Sequence, residues 1–175
     1  MIKKGAAMII DLKQLSLDDG KDVYDMLTKI PQNENGFVNG FYGRPYEEFS
    51  GWLEIQNDMA KGINLLDWMV PQTIYWLFID GVPVGMGKLR HYLSDALLEK
   101  GGHCGYTICK EYRNKGYGTI LLRLLMGKAR DMDINRILVT IDNSNVTSIK
   151  VALANNGKIE KITDERHYIW IDCKN

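Results

Sequence analysis

No excess of charge marks this sequence: 22 lysines and arginines stand against 22 aspartates and glutamates. A basic surface for nucleic acid is therefore not indicated, and no lysine/arginine block is long enough to form a tail. Long apolar runs are also missing, so no segment approaches the roughly 20 residues of a membrane-spanning helix. The opening MIKKGAAMII is basic and then apolar, but Asp11 ends the apolar run after five residues. A secretory leader needs a longer one, and none is expected. The three cysteines form no C-x-x-C. Cys104 and Cys109, on one strand, would lie roughly 16 Å apart, beyond disulfide reach. A reduced, cytoplasmic setting fits that usage. The histidines have no metal-ligand spacing, so no metal is expected. No repeat, low-complexity tract or linker divides the 175 residues, which suffice for one domain, 1–175, with its own core.

What is present concentrates between Gly101 and Asn145. Cys104 to Cys109 is a short strand-forming run, followed by the basic, glycine-punctuated turn Arg113-Asn114-Lys115-Gly116-Tyr117-Gly118. Ile120, Leu121, Leu124, Leu125, Ala129 and Met132 then recur at spacings of three and four, the stripe of an amphipathic helix. Ile137 to Ile141 is a strand-forming run, apolar but for Thr140, as in a strand covered on both faces. The unit reads as strand, glycine turn, helix and parallel strand. Without a Cβ, Gly116 and Gly118 let backbone N–H groups approach a ligand. Those groups lie at a helix N-terminus, which attracts anions, so a phosphate or pyrophosphate is the natural guest. A dinucleotide fingerprint needs a third glycine where Leu121 stands. A P-loop needs a lysine between Gly118 and Thr119. Neither fits.

The surviving form, Arg-x-x-Gly-x-Gly after a strand, resembles the CoA-binding motif of the GNAT superfamily of acyl-CoA N-acyltransferases. Residues 108–118, ICKEYRNKGYG, are similar to that family's strand-end-plus-turn segment. Asn145-Val146-Thr147-Ser148 resembles its Asn-x-x-Ser at the start of the next helix, and Asn155-Asn156-Gly157 ends that helix as relatives do. The similarity runs from about Pro71 to the C-terminus. It implies an α/β (α+β) fold: a mixed, mostly antiparallel sheet, helices on both faces, and a β-α-β unit whose strands, 103–109 and 136–141, splay apart for CoA. It also implies acetyl-CoA as cosubstrate and direct transfer of the acetyl group to a primary amine on a small molecule, peptide or protein. A homodimer is compatible with the sequence.

Carried over position by position, the resemblance makes Ile108 N–H the donor to the thioester carbonyl. The amides of Arg113, Asn114, Lys115, Gly116, Tyr117, Gly118 and Thr119 would hold the pyrophosphate. Asn145 would bond the pantetheine arm or serve as a helix N-cap. Lys115 or Lys150 could meet the ribose phosphate. His103 stands near the family's acid–base groups, and an imidazole suits the deprotonation of an ammonium. Strand alternation, however, puts it on the face opposite Cys104 and Tyr106, and a structural histidine is the competing account. Many relatives protonate the leaving thiolate with a tyrosine where Ala152 stands here, leaving Tyr106 or solvent for that task. A non-catalytic acyl-CoA-binding module and a nucleotide-binding regulator are the other function classes.

The remaining elements follow from local patterns. Strands are expected at Ala7–Leu12, Thr73–Ile79, Pro83–Arg90, Lys158–Ile162 and His167–Cys173, helices at Asp18–Ile30 and Pro45–Lys61, and a short helix or turn at Ser94–Lys100. Asp80-Gly81 signals a hairpin. Gly85-Met86-Gly87-Lys88 superficially looks like a phosphate loop, but inside a strand it points to close backbone packing or a bulge. Residues 31–43 read either as a surface loop with tucked aromatics or as a lid over the acceptor. Asp11, Glu47, Glu48 and Asp67 are the acids that could attract a cationic amine.

Overall fold

The structure, a computed structural model, describes residues 7–174. Strand β1 (Ile10–Gln14) leads to helix α1 (Lys21–Thr28), which buries Val23, Met26 and Leu27. A hairpin follows, β2 (Asn33–Glu34) and β3 (Phe37–Val38). It turns at Asn35 and Gly36, both at positive φ as a two-residue hairpin turn demands. A 3-10 turn at Tyr46–Glu48 runs into α2 (Phe49–Ala60). The centre of the sheet is β4 (Gln72–Ile79), buried on both faces from Thr73 onward, and β5 (Val82–Arg90). After α3 (Asp95–Glu99) come β6 (Cys104–Ile108), α4 (Tyr117–Asp131) and β7 (Arg136–Asp142). The chain closes with α5 (Val146–Ala154), β8 (Lys158–Ile162) and β9 (Arg166–Asp172).

Besides the two-stranded β2-β3 hairpin, two antiparallel sheets result, in the orders β1-β4-β5-β6 and β7-β9-β8. On one side, Leu121, Leu122, Leu125 and Ala129 of α4 pack on Tyr75, Leu77 and Leu89. On the other, α1 and α2 bring Leu27, Phe49, Trp52 and Leu53 onto Ile74, Trp76 and Met86. Helices therefore cover both faces. Glycines 85 and 87 are packing glycines: a Cβ would lie 2.5 Å from Thr107 O at Gly85 and 2.7 Å from Leu125 Cδ1 at Gly87.

Two sequence expectations shift in their bounds. The first strand spans Ile10–Gln14 rather than Ala7–Leu12, because register is set by pairing with β4, Ile10 against Ile79 through Gln14 against Tyr75. The first helix covers only Lys21–Thr28 of the expected Asp18–Ile30, since its N-cap is Gly20. The parting expected of strands 103–109 and 136–141 is present: β6 and β7 lie in different sheets, and β7 pairs with β9 along its whole length.

Candidate functional site

The site is a fork. Pairing between β6 and β7 is confined to their beginnings, where His103 N donates to Leu138 O (2.8 Å) and Leu138 N donates to His103 Nδ1 (3.0 Å). A side chain stands where a second main-chain acceptor would be, and ends the ladder. From Cys104 to Ile108 no hydrogen bond reaches β7, among the described residues. Gly102 makes the approach possible: its φ is +60°, and a Cβ there would sit 2.3 Å from Leu138 O. Past this point the strands diverge around a cleft of about 660 Å³.

His103 is thus the apex of the fork and does not line the cleft. The residue is 7% exposed, and its ring packs edge-on to Trp170 at 6.2 Å. Accepting from Leu138 N requires the tautomer protonated on Nε2. Burial, with Arg90 nearby, holds the imidazole down at about 4. Its lone pair is already used, which leaves nothing to accept a substrate proton and favours the structural account over the acid–base one.

At the open end of the cleft the main chain is unsatisfied. The amides of Asn114 through Thr119 donate to no acceptor among the described residues, and the helical pattern resumes with Ile120 N to Gly116 O (3.2 Å). Gly116, the N-cap of α4, is left-handed (φ 80°, ψ 0°), and nothing lies within 4 Å of where its Cβ would be. No acidic side chain occupies the first turn of α4. Consecutive free donors at the positive end of a 15-residue helix make an anion cradle.

Along β6 the two faces and the edge have different tasks. Cys109 N donates to Val84 O (2.9 Å) and Arg90 N to His103 O (2.8 Å). By antiparallel alternation, Tyr106 and Ile108 then fall at non-bonded positions, with their amides turned from β5 toward the cleft. Tyr106 projects toward α5, where its hydroxyl meets Ser148 Oγ at 2.7 Å. Burial raises that phenol to about 12, so it stays protonated through the neutral range. Asn145 Oδ1 accepts from Ser148 N (3.2 Å), an N-cap on a cleft-lining residue whose amide nitrogen remains available. Ala152 is fully enclosed in the core and off the cleft. Lys115 lies over the Tyr112 ring (5.3 Å) and off the cleft, whereas Lys150 lines it.

The hairpin β2–β3 roofs the cleft. Arg113 does not reach outward for phosphate: Nε donates to Ile108 O (2.9 Å), and both terminal nitrogens grip the Glu34 carboxylate, Nη1 to Oε1 at 3.1 Å. That ion pair holds Glu34 below the usual carboxylate range. On the neighbouring strand, Lys88 Nζ donates to Val38 O (2.6 Å) and lies 4.9 Å from the Phe37 ring centre. Sequence reasoning missed Glu34, Lys88 and Gly102; the Asn35-Gly36 dipeptide, a strong hairpin signal, was the available clue to the first. Asn155, expected only as the end of its helix, also bonds Thr119 O through Nδ2 (3.2 Å) and ties α5 to the start of α4. Asp11, Glu47, Glu48 and Asp67 all lie off the cleft. Among the described residues no group of three or more His, Cys, Asp or Glu could hold a metal. None of the described helices is long and apolar enough to cross a membrane.

No curated protein matches the chain. Among solved structures, a GNAT-family acetyltransferase from Streptococcus pneumoniae is similar at 14% identity and a TM-score of 0.63, covering 93% of this chain and 98% of that one. The Campylobacter jejuni N-acetyltransferase PseH, in complex with acetyl coenzyme A, is similar at 15% identity and TM-score 0.57, covering 94% and 99%. For yncA of Salmonella typhimurium, solved with its cofactor acetyl-CoA, the values are 11%, 0.59, 95% and 95%. At such identities these likenesses establish the fold. The acetyltransferase (GNAT) family model matches residues 37–157, from the second strand of the hairpin to just past α5. The chain belongs to the GNAT family of acetyltransferases.

Proposed function

We propose that the protein transfers an acetyl group from acetyl-CoA to a primary amine by direct attack, with no covalent enzyme intermediate. The observation that carries this reading is the run of free amides from Asn114 to Thr119 at the mouth of a forked pair of strands. A diphosphate satisfies those donors, and Lys150 is placed for the ribose phosphate. Asn145, through its free amide nitrogen, bonds the pantetheine arm, and the thioester lies in the fork.

In the transfer, the ammonium group first loses one proton to water; the freed amine nitrogen then forms a bond to the carbonyl carbon, the C–S bond breaks, the nitrogen's second proton also leaves to water, and the thiolate gains a proton. Ile108 N–H, turned into the cleft, meets the developing oxyanion. Tyr106 supplies the thiolate proton and is resupplied through Ser148. His103 stays outside the chemistry and holds the fork open.

Calorimetric titration with acetyl-CoA, ATP and NAD, followed by assay of released CoA thiol over an amine panel, tests the reading. Acetyl-CoA should bind in preference to the nucleotides, and thiol should appear only with an amine. Gly118→Trp should abolish acetyl-CoA binding by filling the cradle. Gly118→Ala should not, because its Cβ would meet only Val151 Cγ2 at an ordinary 3.6 Å. Unchanged affinity in Gly118→Trp refutes the site. Binding without thiol release would make the chain a non-catalytic acyl-CoA-binding module.

A further inference from the structure

We propose that Lys88 selects the acceptor, acting as the cationic contact for a carboxylate or phosphate carried by the amine substrate. This rests on the acetyl-transfer reading and adds the substrate class to it. The sequence directs attention to acids that would draw a cationic amine, but the cleft is built the other way. Six cationic side chains line it, Lys88, Arg90, Lys100, Arg113, Lys150 and Arg166, against two carboxylates, Glu34 and Asp142. Both carboxylates are already taken: Glu34 by Arg113, and Asp142 by Arg166, whose Nη2 lies 2.7 Å from Asp142 Oδ1. An incoming ammonium group therefore finds no free counter-charge.

Lys88 is the cation left over beside the reacting edge. Arg90 is held by the carbonyls of Gly101 and Gly102, at 3.0 Å each. Lys88 has no carboxylate within 4 Å among the described residues, and one main-chain bond, to Val38 O, uses one of its three donors. Burial and Arg90 bring this ammonium down to about 8, as an uncompensated cation requires. Its position decides which substrate it meets. Lys88 faces Gly105 across the ladder, and Met86 faces Thr107, on the α1/α2 side of the sheet beneath the hairpin. Tyr106 and the amide cradle belong to the α4/α5 side. The amine thus approaches from the face opposite the CoA arm, and Lys88 stands there. It is three ladder positions from Gly85, the partner of Ile108, or roughly 10 Å along the strand. An anionic group a few bonds from the reacting nitrogen can reach it.

The test pairs amines that differ in one charge: O-phosphoethanolamine with ethanolamine, and β-alanine with β-alaninamide, with cadaverine as a dication. Initial rates are measured at saturating acetyl-CoA after calorimetry has confirmed that acetyl-CoA binds. The anionic member of each pair should be preferred, and cadaverine should be poorest. Lys88→Met should lower kcat/KM for the anionic amines by about tenfold to a hundredfold, through KM. Neutral amines should change little, and Lys88→Arg should restore most of the loss. Were Lys88 only a staple for the hairpin, Lys88→Met would depress neutral and anionic amines alike. That outcome, no preference for the anionic members, or no acetylation of any member while acetyl-CoA binds, overturns the inference. Failure to bind acetyl-CoA would instead overturn the reading beneath it.

Discussion

Acid should loosen the fork through a single ring. His103 accepts from Leu138 N in its neutral form, and protonation turns that acceptor into a donor facing a donor. Its folded-state value is about 4 against 6.5 for an ordinary histidine, the difference arising first from burial and then from Arg90. A histidine depressed in the folded state is neutral in both states above pH 6.5, so it has no effect on stability there. As pH falls below 6.5 the unfolded chain takes up the proton first, and stability drops until the folded value is passed. At 1.36 kcal/mol per unit, this loss is about 2 kcal/mol at pH 5, or about 1 after allowance for solvent screening. The assay is urea unfolding of wild type and His103→Asn at pH 7.5 and pH 5. Asparagine Oδ1 falls where Nδ1 was and accepts the same bond without titrating. His91, which burial also depresses, is present in both proteins and cancels in the comparison. The wild type should lose about 1–2 kcal/mol more than the variant between the two pH values. Equal losses would refute the assignment of the ring to the fork.

Three further outcomes follow from the same geometry. Tyr106→Phe, which removes the proton donor and keeps the ring, should lower kcat about tenfold to a hundredfold. Its KM for acetyl-CoA should stay near that of wild type, and an unchanged kcat would assign thiolate protonation to solvent. Gly102→Ala should cost about 2–4 kcal/mol in chemical denaturation, since it meets both a left-handed backbone and a carbonyl 2.3 Å away. Gly127→Ala, in α4 with open space at its Cβ, should instead stabilise by about 0.5–1 kcal/mol.

Legibility in the sequence followed the range of the interactions. The glycine turn, the apolar stripe of α4 and the Asp80-Gly81 hairpin were readable because neighbours within a few positions decide them: helix period, strand alternation and positive φ are local properties. The anion cradle belongs to this class, as it needs only a left-handed Gly116 and a helix that begins beside it. Other features were not readable, because each depends on a contact between distant positions. Arg113 is claimed by Glu34, 79 residues away. His103 accepts from Leu138, 35 residues on. Lys88 meets Val38 of the hairpin, 50 residues back. From the sequence alone came the glycine turn at 113–118 and the helix that starts beside it, which is all that a run of free amides from Asn114 to Thr119 needs. Only the tertiary structure decided what that run faces: a side chain in place of a ladder bond parts two strands, and an unpaired ammonium waits on the far side of the gap.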